Sequence, residues 1–220
     1  MMVATALRVK IVFLGDSLAY GTGDESDGGI AGRIRSMLDD VETVNLGVSG
    51  AVTSDLARRL NQTNVRSELK SSDVIVLSIG ANDLFRTPGA RDRAFADPMK
   101  LADEILDRIA HIVTQLRRIN DGAHIMLLGG YNPVPDHAFA MLINLYLEKW
   151  DAKLADRFAH DPNVSVVQTS DLVVNANLSR FDRFHPGGPA YQKIAKRITE
   201  MLQDEEEEET SHFGRSRYRS

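Results

Sequence analysis

The sequence predicts a single α/β domain in which a parallel sheet of about five strands is covered by helices on both faces. Three observations predict it. Strand-like and helix-like segments alternate along the chain. The clearest strands are almost wholly apolar, as strands buried on both faces must be. Helical patterns of ten or more residues separate them, long enough for the crossovers that parallel strands require. A length of 220 residues suits one such domain.

Each element follows in order. The segment Arg8 to Leu14 holds the apolar run Val9 to Leu14 and stops at Gly15, which predicts the first strand. Ile30, Ile34, Met37 and Leu38 recur at helical spacing, so Ile30 to Leu38 predicts a helix. Val41 to Leu46 is a short second strand, and Ser54 is a plausible N-cap for a helix through Leu60. Asp73 to Ile79 is the clearest strand. Asp97-Pro98 supplies a cap and a proline for the first helical position, and Leu101, Ile105, Ile109, Ile112 and Leu116 form one stripe behind it. Ala123 to Leu128 is a fourth strand closed by Gly129-Gly130. Leu147, Trp150, Leu154 and Phe158 mark a helix around Leu142 to Phe158, and Val164 to Val167 is a fifth strand. The last helix begins after Pro186-Gly187-Gly188 and ends near Gln203. No repeat or linker divides the chain, so residues 1–203 read as one domain. Residues 204–220, acidic and then rich in arginine and serine, read as a disordered tail.

The composition is that of an ordinary globular protein, 43% apolar and 26% charged, with a net charge of −5. Removing residues 204–220 takes away six acids and three arginines and leaves the rest near −2. That balance gives no reason to expect a nucleic-acid partner. The absence of cysteine excludes disulfides, thiolate chemistry and cysteine-ligated zinc. No apolar run approaches the roughly 20 residues that span a bilayer, and Val9 to Leu14 is too short for a signal-peptide core. Cytoplasmic residence, with no integral membrane segment, is the expectation.

In parallel sheets ligands bind beyond the carboxyl ends of the strands. Ser17 follows the first strand, Gly50 the second and Asn82 the third, while Asp182 and His185 occupy the loop before the final helix. A serine hydroxyl needs a neighbouring base to become a nucleophile, and that base needs a group to hold its tautomer. Of the six histidines, only His185 combines an acid three residues ahead, a following proline and a glycine-rich approach to a helix. An uncharged amide such as Asn82 suits stabilisation of a developing oxyanion, and Gly50 can offer a backbone N–H at close approach. Taken singly, Gly15-Asp16-Ser17 also reads as a plain turn or an anion-binding turn, and Asn82-Asp83 as a turn closing a strand. The Gly-x-Ser-x-Gly elbow of another hydrolase class occurs nowhere.

Gly15-Asp16-Ser17, the glycine of Asn45-Leu46-Gly47-Val48-Ser49-Gly50, Gly80-Ala81-Asn82-Asp83 and Asp182-Arg183-Phe184-His185-Pro186 resemble, in order, the four sequence blocks of the SGNH or GDSL hydrolases. The resemblance spans about residues 9–200 and is closest to the bacterial GDSL-type lipase/acylhydrolase branch. It implies a flavodoxin-like three-layer α/β/α sandwich and hydrolysis of esters or thioesters with no metal and no cofactor. Carried over by position, Ser17 is the nucleophile, His185 the general base and then acid, and Asp182 the orienting carboxylate. The backbone N–H groups of Ser17 and Gly50 and the side chain of Asn82 form the oxyanion hole, and Asp16 and Asp83 support the two loops.

Leu84, Phe85, Tyr131 and Phe139 flank the site in the insert Leu84 to Ala96 and the loop after the fourth strand. They are candidates for an acyl pocket, with ordinary loop packing as the alternative reading. No second large domain is available as a lid, which favours a small-molecule ester with a small or medium acyl chain. A carbohydrate deacetylase or lysophospholipase of the same fold is not separated from a general esterase. The rival from a different class is a non-catalytic phosphate-binding module built on the Gly15 turn, which leaves Asp182, His185 and Asn82 unexplained. Oligomeric state is not legible.

Overall fold

The computed structural model describes residues 8–216. Five strands, β1 (Val9–Gly15), β2 (Val41–Gly47), β3 (Val74–Ser78), β4 (His124–Leu128) and β5 (Val164–Val167), form one all-parallel sheet in the order β2-β1-β3-β4-β5. This is the flavodoxin-like order, in which the chain reverses direction across the sheet between β1 and β3.

The period-two alternation of strand side chains separates two cores. Along β1, Ile11 and Phe13 face one way and Val12 and Leu14 the other, all four fully buried. The Ile11 face packs on α2 (Gly29–Met37) and α9 (Gly188–Ser216) through Ile30, Ile34, Tyr191, Ile194 and Ile198. The Val12 face packs on α3 (Thr53–Arg59), α4 (Thr63–Lys70), α7 (Pro98–Ile119) and α8 (Ala140–Phe158). The stripe Leu101, Ile105, Ile109, Ile112, Leu116 of α7 is buried there as its spacing predicts. The result is the three-layer α/β/α sandwich.

Several boundaries differ from the sequence expectation. The helix expected to start at Ser54 has Val52 at its N-cap, because the Asp55 carboxylate reaches back to accept from the Val52 N–H at 3.2 Å. A helix not expected from sequence, α4, follows it. The insert 84–96 carries two short helices, α5 (Asp83–Arg86) and α6 (Ala90–Ala96). Asp97 does cap α7, accepting from the Lys100 N–H at 3.0 Å, with Pro98 in the first turn. The last helix continues past Gln203 to Ser216, consistent with the good intrinsic helix propensity of glutamate. Residues 217–220 of the tail lie outside the described residues. No helix among the described residues is long and apolar enough to cross a membrane.

Candidate active site

The carboxyl ends of the strands meet at one rim, and short hydrogen bonds sew the loops there together. Gly15 takes φ +127°, and a Cβ on it would stand 1.8 Å from the Ser78 carbonyl oxygen. Only glycine therefore lets β1 turn against β3 at this point. Asp16 then caps the one-turn helix α1 (Ser17–Tyr20). Its Oδ1 accepts from the Leu18 N–H at 3.1 Å and from the Ser78 hydroxyl at 2.8 Å. Burial pushes the Asp16 carboxyl up to about 6, against the pull of the Ser78 and Leu18 donors and of the nearby His185. Asp16 is thus a buried tether between two strand ends, and Ser17 stands beside it, half-buried at the start of α1.

The second and third loops are tied in the same way. Val48 N–H donates to the Gly15 carbonyl at 2.9 Å, and the Thr22 hydroxyl lies 3.2 Å from that of Ser49. One N–H of the Asn82 amide donates to the Ala51 carbonyl at 3.0 Å. Asp83, 2% exposed, accepts from the Thr53 N–H at 2.9 Å and the Thr53 hydroxyl at 2.5 Å, and Arg108 pairs with it at 3.2 Å. Asp83 therefore fixes the start of α3, and with it the Gly50-Ala51 turn, against Asn82. Among the described residues, the N–H groups of Ser17 and Gly50 have no protein acceptor.

The fourth segment, Ser179 to Gly188, folds back on itself. Ser179 N–H donates to the His185 carbonyl at 2.8 Å, and Arg183 holds a left-handed φ of 53° inside the turn. That turn brings Asp182 against His185. Asp182 Oδ2 lies 2.6 Å from His185 Nδ1, while Oδ1 accepts the N–H groups of Phe184 at 2.9 Å and His185 at 3.0 Å. An ionised carboxylate only accepts, so this contact assigns the Nδ1 proton and leaves Nε2 as the free base. Partial burial alone would raise Asp182, but the donors from His185 and Phe184 outweigh it and hold the carboxyl below the usual range. No hydrogen bond joins Ser17 Oγ to His185 among the described residues, a contact that often tightens only with substrate bound.

Two residues that the sequence reading missed dock this segment onto the Ser17 loop. Glu25 uses both oxygens of one carboxylate, accepting the Arg180 N–H at 3.0 Å and the Gly188 N–H at 2.8 Å, so it clasps the histidine loop on both sides. Gly23, with φ +90°, lies so close that a Cβ on it would stand 2.7 Å from His185 Cβ and 2.8 Å from the Pro186 carbonyl oxygen. Beneath them Asp24 is locked to Arg33, and the Tyr191 hydroxyl donates to the Thr22 carbonyl at 2.8 Å. The glycines after Ser17 mark a turn in the sequence, but its partners lie some 155 residues away, beyond local reading.

Gly23→Ala should push His185 away and lower kcat for a soluble ester by about 10²-fold, since small displacements of a reacting group cost that much. Gly89→Ala, also at positive φ (+70°) but with nothing within 4 Å of the added Cβ, should leave kcat within about twofold. Equal kcat in both variants would remove Gly23 from any positioning role.

The four flanking apolar residues divide. Leu84 packs against the core on the α7 face of the sheet, and Tyr131 against the core on the α9 face. Tyr131 also lies near Asp16 and Asp182. Burial first, and then those two charges, push its hydroxyl well above the usual phenol range. Phe85 and Phe139 are exposed, with the Phe139 ring 5.4 Å from that of His137.

Comparison with known proteins bears on the same segments. The profile of the GDSL-like Lipase/Acylhydrolase family matches residues 13–193. The chain is 27% identical over 214 residues to the uncharacterized protein YpmR of Bacillus subtilis (strain 168), covering 91% of this chain and 84% of that protein. It is 23% identical over 209 residues to the spore germination lipase LipC of Bacillus licheniformis, covering 87% and 95%. Among solved structures, the lipase Lip_vut3 from a goat rumen metagenome superposes with a TM-score of 0.72 at 21% identity, over 87% of this chain and 96% of that one. A family two carbohydrate esterase from Clostridium thermocellum does so at 0.66 and 18% identity, over 93% and 66%.

Proposed function

Because the chain belongs to the GDSL-like lipase/acylhydrolase family of hydrolases, we propose that it cleaves carboxylic esters of small or medium acyl chains through Ser17, His185 and Asp182. The observation that carries this reading is the Asp182–His185 pair: a carboxylate pinned by two backbone N–H groups, 2.6 Å from Nδ1, on the same rim as a half-buried serine.

In this mechanism Ser17 Oγ attacks the acyl carbonyl as His185 Nε2 takes its proton, and Asp182 stabilises the imidazolium that results. The carbonyl oxygen becomes an oxyanion held by the unpaired N–H groups of Ser17 and Gly50 and by the second N–H of the Asn82 amide. Collapse breaks the bond to the alcohol, which leaves with the proton from His185. Water, deprotonated by the same nitrogen, then attacks the acyl-enzyme and restores Ser17.

Fluorophosphonate labelling of the folded chain tests the nucleophile: covalent modification at Ser17 is expected, and absence of labelling would overturn the reading. Asn82→Ala should lower kcat by about 10²–10³ with a smaller change in KM, because the donor acts on charge that develops only in the transition state. A loss of less than a few-fold would exclude Asn82 from the oxyanion site. A panel of p-nitrophenyl esters of rising chain length, set beside acetylated sugars, decides the acyl and alcohol preference.

A further inference from the structure

An unpaired cation stands against the oxyanion side of the candidate site. Gly50, whose N–H has no protein acceptor among the described residues, holds φ +78°. A Cβ on it would stand 2.8 Å from Arg86 Nη1 and 3.6 Å from Arg86 Cζ. The Arg86 guanidinium is therefore lodged on the Gly50 turn. Its backbone holds it there: α5 is a single turn that starts directly after Asn82, and the Arg86 N–H donates to the Asn82 carbonyl at 2.9 Å. One residue thus touches the loop of one proposed oxyanion donor and is anchored to the backbone of another.

An exposed arginine without a partner is ordinary on a protein surface, but the neighbours of this one set it apart. Arg33 pairs with Asp24, Arg108 with Asp83, and Arg59 donates to the Leu46 carbonyl at 2.8 Å. Arg183 donates to the side-chain oxygen of Asn175. The exposed side chain of Arg86 makes no hydrogen bond or ion pair among the described residues. The acids of the adjoining segments do not take it up. Asp83 is held by Thr53 and Arg108, and Asp55 by the Val52 N–H and Arg58. Asp92, exposed on α6, forms no ion pair with it.

We propose that Arg86 is a specificity-determining residue: it selects esters that carry a second, anionic group, such as a carboxylate, a few bonds from the scissile carbonyl. The inference rests on the hydrolase reading above and names a substrate class for that site. With the scissile carbonyl oxygen on the Gly50 N–H, a group within hydrogen-bond distance of Arg86 Nη1 belongs to the same small ester molecule. A guanidinium offers a carboxylate two parallel N–H donors and stays charged at any working pH. Water and salt screen an exposed charge, so the preference is modest, about fivefold, and shrinks in high salt. A neutral ester leaves the guanidinium in water and is still accepted.

Paired esters that differ only in the carboxylate test the proposal. Mono-p-nitrophenyl adipate is set against p-nitrophenyl hexanoate for an anion on the acyl side, and p-carboxyphenyl acetate against phenyl acetate for one on the alcohol side. In one of the pairs the wild type should favour the charged ester in kcat/KM by about fivefold or more, chiefly through KM. Salt at about 0.5 M should erase most of that ratio. Arg86→Gln should bring the ratio to about one, while Arg86→Lys should keep part of it, because a point charge replaces the planar fork. A wild-type ratio near one in both pairs would overturn the inference. So would an Arg86→Gln variant that keeps the wild-type ratio while both esters slow equally, since Arg86 would then only support the Gly50 turn or the oxyanion. Fluorophosphonate labelling of Ser17 beside a ratio of one overturns the role of Arg86 alone. Absence of both labelling and turnover overturns the hydrolase reading, and this inference with it.

Discussion

Ser17→Ala is expected to lower turnover of p-nitrophenyl acetate by about 10⁴-fold or more, toward what oxyanion donors and binding sustain without a nucleophile. The fold should be indifferent to the change. The Ser17 hydroxyl makes no hydrogen bond among the described residues, the backbone N–H and carbonyl survive, and the Ser17 carbonyl still accepts from Gly21 and Thr22 at 3.0 Å each. An unchanged melting curve beside lost turnover and lost fluorophosphonate labelling is the predicted pattern. Retention of even a tenth of the activity would assign the nucleophile elsewhere.

Asp182→Asn should cost on the order of 10³–10⁴ in kcat, for a reason the geometry makes specific. Two backbone N–H groups hold Oδ1, so the oxygen of an introduced amide stays on them and its NH₂ falls where Oδ2 stood, facing His185 Nδ1. A donor there forces Nδ1 to accept, moves the imidazole proton to Nε2 and points it at Ser17. The histidine is then a donor where a base is needed. Asp182→Ala removes the carboxylate without imposing that tautomer and should retain more activity than Asn at saturating substrate. Comparable rates for wild type and Asn would sink the assignment of Asp182. The pH sign also follows. Since the folded carboxyl lies below its ordinary value of 3.8, its contribution to stability is present above that value and is lost as pH falls through the lower folded one. Asp182 therefore stays charged across the neutral range.

The acids of the site show how far sequence reading reached. Asp182 is legible because it and its partner lie in one tight loop, where spacing decides contact. Asp16 and Asp83 enter as supports only through the family resemblance, and their partners were not foreseen: Ser78 and Thr53 come from other strands and helices. Glu25 and Gly23 are not legible at all. Their importance comes from Arg180, His185 and Gly188, and no local pattern encodes an encounter across so long a stretch of chain.

Helix boundaries failed for a related reason. Ser54 has the right side chain for a cap, but Asp55 reaching back to Val52 shifts the first turn. α4 went unseen because only Val65 and Leu69 are buried on it, too few apolar positions to set a period. Leu84, read as a pocket candidate, packs on the core, while the neighbouring Phe85 is left exposed. Which of two adjacent apolar residues turns inward depends on where α5 sits against α7, and only the assembled fold sets that.

The sequence by itself determined the five strands along the chain, the two buried faces of the sheet and the choice of Ser17, Asp182, His185 and Asn82 as the residues to watch. Side-chain periodicity and short-loop spacing are local properties, and the strands, the buried faces and the Asp182–His185 pair rest on them, while Ser17 and Asn82 rest on their places after strand ends and on the family resemblance. Only the tertiary structure decided how the histidine loop is clasped to the serine loop and which donors remain unpaired. Each of those depends on distances between segments far apart in the chain, which the packing of helices on the sheet fixes and composition leaves open.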